Sequence, residues 1–262
     1  MALALITGAS SGIGFELAKQ FAQHDYDLVI AADGPGVETA ALELAEFGTQ
    51  VEPVQVDLRD PDGVETLYQR ATKGGRTIDA AALNAGTATG DSFVDSDLDD
   101  NLSAIDLNVR STVHLAKLIL PDMVRRDAGK MLFTSSIVAA MPGPYQSVYN
   151  ASKSFVQSFA EALQDELRKS AVTVTALMPG VTDTNFFRRS GQADTTVLGR
   201  FPFKDDPAKV AEQGFDALVS GRRKVAAASP LTKMMALSNH VLPDSVKAFA
   251  NRLIAIPLGK RR

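Results

Sequence analysis

Short runs of Val, Ile, Leu and Ala alternate along the whole chain with longer amphipathic segments, a pattern that few architectures accommodate. The apolar runs predict strands at 2–6, 27–32, 51–56, 79–83, 130–134, 172–178 and 224–228. Most of them lack polar alternation, as expected of strands covered by helices on both faces. The segments between them predict helices at 12–24, 36–48, 61–73, 97–126, 147–170 and 206–220, with one or two short helices after Pro230 and Pro243. With right-handed crossovers this order gives a Rossmann-type α/β fold, a doubly wound, seven-stranded parallel sheet flanked by helices, whose ligands sit at the C-terminal ends of the strands. A chain of 262 residues is expected to form it as one domain, 1–262.

The side-chain inventory narrows the function classes. A formal charge of -4 argues against a nucleic-acid surface, which needs clustered basic residues. The absence of cysteine removes thiolate nucleophiles, disulfides and cysteine-ligated metals. Three histidines, His24, His114 and His240, match no metal-ligand spacing. No secretory pattern precedes the first strand and no apolar run reaches about 18 residues, so a cytoplasmic protein that neither spans nor binds a membrane is the expectation.

The first apolar run leads into "TGASSGIG", residues 7–14, which has two readings. As Gly8-Ala9-Ser10-Ser11-Gly12 it fits GxSxG, the turn that exposes a hydrolase's nucleophilic serine at Ser10. As Gly8, Gly12 and Gly14 between strand and helix it is a turn that cradles a phosphate at a helix N-terminus. The hydrolase turn belongs after a central strand laid down later in the chain, with its acid and histidine to follow, whereas this turn follows the first strand. The phosphate reading demands an acidic residue at the end of the second strand, about 20 residues on, to bond the adenosine ribose. Asp33, closing "LVIAA", meets that demand. Its carboxylate would repel a 2'-phosphate, which favours NAD(H) without excluding NADP(H).

Further pieces follow in order: Asp57 and Leu58 after "VEPVQV"; Asn84-Ala85-Gly86 closing the fourth strand; Asn108 in "DLNVRST"; Ser136 in "FTSSIVAA"; Tyr149 and Lys153 in "YNASK"; and Pro179-Gly180 with Thr182 and Thr184. Together with the glycine turn, this set resembles the short-chain dehydrogenase/reductase family through about the first 185 residues. The resemblance implies an oxidoreductase that moves a hydride between a nicotinamide cofactor and an alcohol or carbonyl substrate. It implies that Gly8, Ser10, Ser11, Gly12, Ile13 and Gly14 hold the pyrophosphate, and that Asp33, Asp57 and Leu58 contact the adenosine. Asn84, Ala85, Gly86, Tyr149, Lys153, Pro179, Gly180, Thr182 and Thr184 would contact the cofactor as well, Pro179-Gly180 with Thr184 touching the nicotinamide.

In the same resemblance Tyr149 is the general acid/base, Ser136 polarises the substrate oxygen, and Asn108 supports a proton relay. Lys153 binds ribose and tunes the tyrosine. Tyr149 and Lys153, four apart on a helix, share a face. A nearby ammonium would favour the phenolate and lower the tyrosine's pKa. A serine also precedes Ser136, but only the interval from Ser136 to Tyr149 matches the family. A non-catalytic dinucleotide sensor is the alternative of a different class, with the Ser10 hydrolase behind it.

The family also implies a homodimer or homotetramer built on helices 97–126 and 147–170. The aperiodic stretch 183–205 is the expected substrate loop, with Phe186, Phe187, Phe201 and Phe203 for an apolar wall and Arg188, Arg189 and Arg200 as possible partners of an anion. The acidic run Asp95-x-Asp97-x-Asp99 has neither the Gly nor the Glu that a calcium loop needs, and reads as a helix N-terminus. The tail "NRLIAIPLGKRR" is expected to pack on the domain or on a partner subunit.

Overall fold

In a computed structural model of the chain, β1 (Ala2–Thr7), β2 (Tyr26–Ala32), β3 (Val51–Gln55), β4 (Ala80–Leu83), β5 (Lys130–Thr134), β6 (Thr173–Pro179) and β7 (Lys224–Ala227) form one sheet in the order β3-β2-β1-β4-β5-β6-β7. Every pairing is parallel. The structure describes residues 1–184, 186, 196, 204–227, 229, 230, 232–234 and 242–256. Helices with both ends among the described residues include α1 (Gly12–Gln23), α2 (Gly36–Ala45), α3 (Pro61–Ala71), α4 (Leu98–Ile105), α5 (Ser111–Arg126), α6 (Ser147–Glu166), α7 (Pro207–Val219) and α8 (Asp244–Ala255). No helix among the described residues is long and apolar enough to cross a membrane.

Strand residues divide between two cores. Leu3, Leu5, Val29 and Ala31 join Leu115, Ile119 and Val156 on one face, while Ala4, Ile6, Leu28 and Ile30 join Leu17, Phe21 and Phe215 on the other. Both faces are therefore dry, which is why the strand sequences show no polar alternation. On the second face Phe21 meets Phe215 edge-on with ring centroids 5.0 Å apart, fixing α1 against α7.

Strand positions agree with the sequence to within a residue. The predicted helix 97–126 is interrupted: between α4 and α5 the residues Asp106–Arg110 make a π-helical turn. Such turns occur frequently at functional sites, and this one carries Asn108. The acidic run behaves as a helix start, with Asp97 Oδ1 accepting from the amides of Asp99 and Asp100 at 2.8 and 3.3 Å. The segment after Pro243 is α8. Of the expected substrate loop, residues 185, 187–195 and 197–203 lie outside the described residues, including Phe187, Phe201, Phe203 and the three arginines. His240 and the end of the tail also lie outside them.

The two ends of the 183–205 stretch meet. Thr182 and Asp205 form a parallel bridge, with Asp205 N donating to Val181 O at 2.7 Å and Asp183 N to Asp205 O at 2.9 Å. The chain thus leaves the end of β6 at the C-terminal edge of the sheet and is again beside it at Asp205.

Candidate active site

A cleft of about 1040 Å³ runs along that edge. Every sequence-predicted site residue lines it except Asn108, which lies behind the lining. At its start β1 ends in Thr7 and the chain turns through Gly8, whose φ of +67° is left-handed. A Cβ on Gly14 would stand 2.2 Å from the carbonyl oxygen of Gly8, so no side chain fits there. Helix α1 then begins with neither a side-chain cap nor an acidic residue in its first turn, leaving its first amides to a ligand. These features fit the pyrophosphate of a dinucleotide.

Asn84 joins three strand ends below this turn. Its amide N–H donates to Thr7 Oγ1 at 2.9 Å, its Nδ2 to Thr7 O at 3.2 Å, and its Oδ1 accepts from Thr134 Oγ1 at 3.1 Å. Ala85 N also donates to Thr7 Oγ1, at 3.0 Å. Thr7 and Thr134 were not legible as site residues, because a threonine at a strand end is ordinary.

Ser136 follows β5 and caps a short helical turn, Ile137–Ala140, accepting from Val138 N at 3.3 Å. Its side chain also hydrogen-bonds Tyr149, which projects from the first turn of α6. The neighbouring Ser135 is committed elsewhere, donating to the carbonyl of Lys153 at 3.1 Å, so of the two serines Ser136 faces the tyrosine. Lys153, 5 % exposed, donates from Nζ to Thr134 O at 2.8 Å. A Cβ on Gly86 would lie 3.2 Å from both that nitrogen and Asn108 Oδ1, so the motif's glycine makes room for the pair.

Burial sets the protonation states here. It pushes the Tyr149 hydroxyl up to about 12, against the pull of the Ser136 hydrogen bond, and draws Lys153 down to about 8. The sequence expectation that the ammonium would lower the tyrosine's pKa is therefore corrected: burial raises the tyrosine's pKa and lowers the lysine's, and Tyr149 holds its proton at neutral pH.

The Asn108 side chain is bonded through both of its polar atoms. Its Oδ1 accepts from Thr87 N at 2.9 Å, and its Nδ2 donates to Thr87 O at 2.8 Å and to Ser152 Oγ at 2.9 Å. The side chain is occupied in fixing the loop after Gly86 to α6, one residue before Lys153. Its backbone carbonyl accepts from Thr112 Oγ1 at 2.9 Å and retains a second lone pair.

At the other end of the cleft, Asp33 closes β2 and is solvent-exposed. The sequence reading missed its neighbour Arg59, whose guanidinium lies 2.7 Å from Asp57 and 3.9 Å from Asp33. Hydrogen bonding from Arg59 holds Asp57 below the usual carboxylate range. Only the "DLRD" turn after β3 hinted at this cation, and nothing in its spacing marked it. Towards the substrate side the lining is Val138, Met141 and Phe186, with the Phe186 and Tyr149 ring centroids 5.6 Å apart. Ala250, Asn251 and Ile254 of α8 complete it, a contribution no sequence motif announced.

Comparison with known proteins agrees with this geometry. Residues 2–195 match the family model described as short chain dehydrogenase. Oxidoreductase UcpA of Escherichia coli K12 is 34% identical over 221 residues, covering 80% of this chain and 84% of that protein. Among solved structures, a short-chain dehydrogenase from Sphingobium yanoikuyae in complex with NADPH superposes with a TM-score of 0.81 at 29% identity, covering 92% of this chain and 93% of that one. An alcohol dehydrogenase from the archaeon Thermococcus sibiricus, complexed with 5-hydroxy-NADP, gives 0.73 at 25%, over 86% and 95% of the two chains.

Proposed function

The chain belongs to the short-chain dehydrogenase family of oxidoreductases, and from that premise we propose that it interconverts an alcohol and a carbonyl compound with Tyr149 as the general acid/base. The observation that carries the reading is the convergence of Ser136, Tyr149 and Lys153 in the same cleft as the Gly8–Gly14 cradle. A sensor has no need of that proton-transfer set, and a hydrolase built on Ser10 has no need of the cradle.

A nicotinamide cofactor, when bound, supplies the hydride donor or acceptor. Gly8, Ser10, Ser11, Gly12, Ile13 and Gly14 would hold its pyrophosphate, Asp33, Asp57 and Leu58 its adenosine, and Asn84, Ala85, Gly86, Pro179, Gly180, Thr182 and Thr184 its nicotinamide half. Tyr149, protonated at neutral pH, donates its proton to the substrate oxygen during carbonyl reduction. Ser136 donates a hydrogen bond to the same oxygen where negative charge develops. Lys153 would bind a ribose hydroxyl of the cofactor, and Asn108 supports proton exchange by fixing the loop and helix beside Lys153. The reverse reaction requires Tyr149 as phenolate, so it gains from alkaline conditions.

Asp33 and Asp57 outnumber Arg59 at the adenosine end, which favours NAD(H) over NADP(H). Self-association through α4 to α6 is supported by apolar side chains exposed on that side: Leu98, Leu102 and Ile105 on α4, Val124 on α5 and Phe155 on α6. Light scattering of the eluted protein would read a dimer or tetramer, and a monomer would remove that part of the reading.

The deciding experiment titrates the protein with NADH and, separately, NADPH, then follows cofactor absorbance with a panel of ketones and alcohols. Binding and turnover support the reading. Binding without turnover across the panel turns it towards the sensor, and binding of neither cofactor ends it.

A further inference from the structure

The cleft continues past the reacting residues to α8, which is moored against it. Lys247 Nζ donates to the carbonyl of Ala140 at 3.0 Å, in the short turn that Ser136 caps, and pairs with Asp244 at 2.7 Å. Asn251 lies one turn further along the same helix face and lines the cleft beside Ala250 and Ile254. It is 2 % exposed, and neither its Oδ1 nor its Nδ2 has a hydrogen-bond partner. A buried carboxamide with no partner costs free energy that an apolar residue of the same shape would not. In the same cleft Asn84 and Lys153 are bonded, so an unpartnered amide at its far end marks a place where a ligand supplies the partner.

We propose that Asn251 is a specificity-determining residue that hydrogen-bonds a second, neutral polar group of the substrate, a hydroxyl or a carbonyl, carried on an apolar frame away from the reacting carbon. The inference rests on the oxidoreductase reading. A carboxamide both donates and accepts, so it suits a hydroxyl, which does both, and offers no charge to an anion. The charge of Lys247 is already met by Asp244, and Asp91, Asp95, Asp97 and Asp100 line the same cleft, so a carboxylate or phosphate on the substrate is disfavoured. Val138, Met141 and Ile254 supply apolar surface in the same cleft.

The test uses two matched ketones, decalone and the decalone bearing a hydroxyl on its far ring, with the cofactor-loaded protein. Wild type is expected to favour the hydroxyketone in kcat/KM by about tenfold or more. Asn251→Leu is expected to reverse that preference and to raise the melting temperature of the free protein, because it removes an unpaired buried amide. A structural asparagine would behave oppositely: the Leu variant would melt lower and the ratio would not move, which overturns the proposal. Calorimetric binding of the two ketones reads the same ratio without turnover, so absence of turnover counts against the oxidoreductase reading while equal or absent binding of both ketones counts against Asn251. Asn251→Asp, which keeps the shape, is a second variant: it should weaken the hydroxyketone preference without reversing it, and an unchanged ratio again overturns the assignment.

Discussion

The two ends of the cleft hold their polar groups in opposite ways. Around Tyr149 they are buried and shared: Ser136 is 7 % exposed, Lys153 5 % and Asn108 1 %, and each bonds a neighbour whose own strand or helix is fixed. Around Asp33 they are charged and wet, with Arg59, Asp57 and Asp33 side chains 43%, 45% and 63% exposed. In a dry setting a dipole or proton keeps nearly its full effect, whereas exposed charges are screened and individually weak. In the proposed reading, the buried end therefore governs whether a reaction occurs, and the exposed end only biases which cofactor is used.

The sharpest way to break that comparison is Tyr149→Phe. Removing the one hydroxyl that carries the transferred proton should lower kcat by about 10²- to 10⁴-fold, while the dissociation constant of the cofactor stays within about twofold. Ser136→Ala should follow with a loss nearer 10²-fold, since the proton donor survives and only one directed dipole is removed. Steady-state rates paired with cofactor titration check both. If either variant keeps wild-type turnover, the buried end is not where the chemistry lies.

Burial also predicts a pH signature. Lys153 has its pKa lowered from 10.5 to about 8, so between those values the unfolded chain binds a proton that the folded protein does not. Stability therefore rises with pH through this window, by roughly 2 kcal/mol from pH 8 to pH 10, and the cost of burying the ammonium is fully present below pH 8. Tyr149 works in the opposite sense, but only above pH 10, where the folded state alone keeps its proton. Denaturant midpoints at pH 8 and pH 10 should thus diverge for the wild type and come together in Lys153→Met.

This contrast also explains what was legible in the sequence. The strands and the glycine turn could be read because steric need restricts them, as Gly14 has no room for a side chain, and Tyr149 and Lys153 could be read because they sit one helical turn apart. The π-helical turn at Asn108 could not be read, because 97–126 keeps a helical pattern on both sides of it. The pKa of Tyr149 could not be read either, because spacing reveals a neighbouring charge but not how dry the site is. Arg59 and Asn251 escaped because each acts through a tertiary approach between elements distant in sequence, β2 with the turn after β3, and α8 with the turn after β5. A side chain that depends on such an approach carries no local period or motif.

The smallest predicted effect is at the exposed end, and it sharpens the comparison most finely. In the proposed reading Asp33→Ala removes a carboxylate that would face a 2'-phosphate and leaves Arg59 facing Asp57 alone, so the ratio of NADPH to NADH dissociation constants should fall by a few-fold to about tenfold. Arg59→Ala should move the same ratio the other way, because it strips the cation paired with both Asp33 and Asp57. The two changes share a contact and should not be additive. Because all three side chains are exposed, both shifts should shrink between about 0.05 and 0.5 M salt, as the screening length falls towards the separation of the charges. Titrations of the three proteins with both cofactors at each salt concentration decide this. A ratio indifferent to Asp33 and to salt would mean that cofactor choice is set by shape at the buried end, and the division of labour along the cleft would be lost.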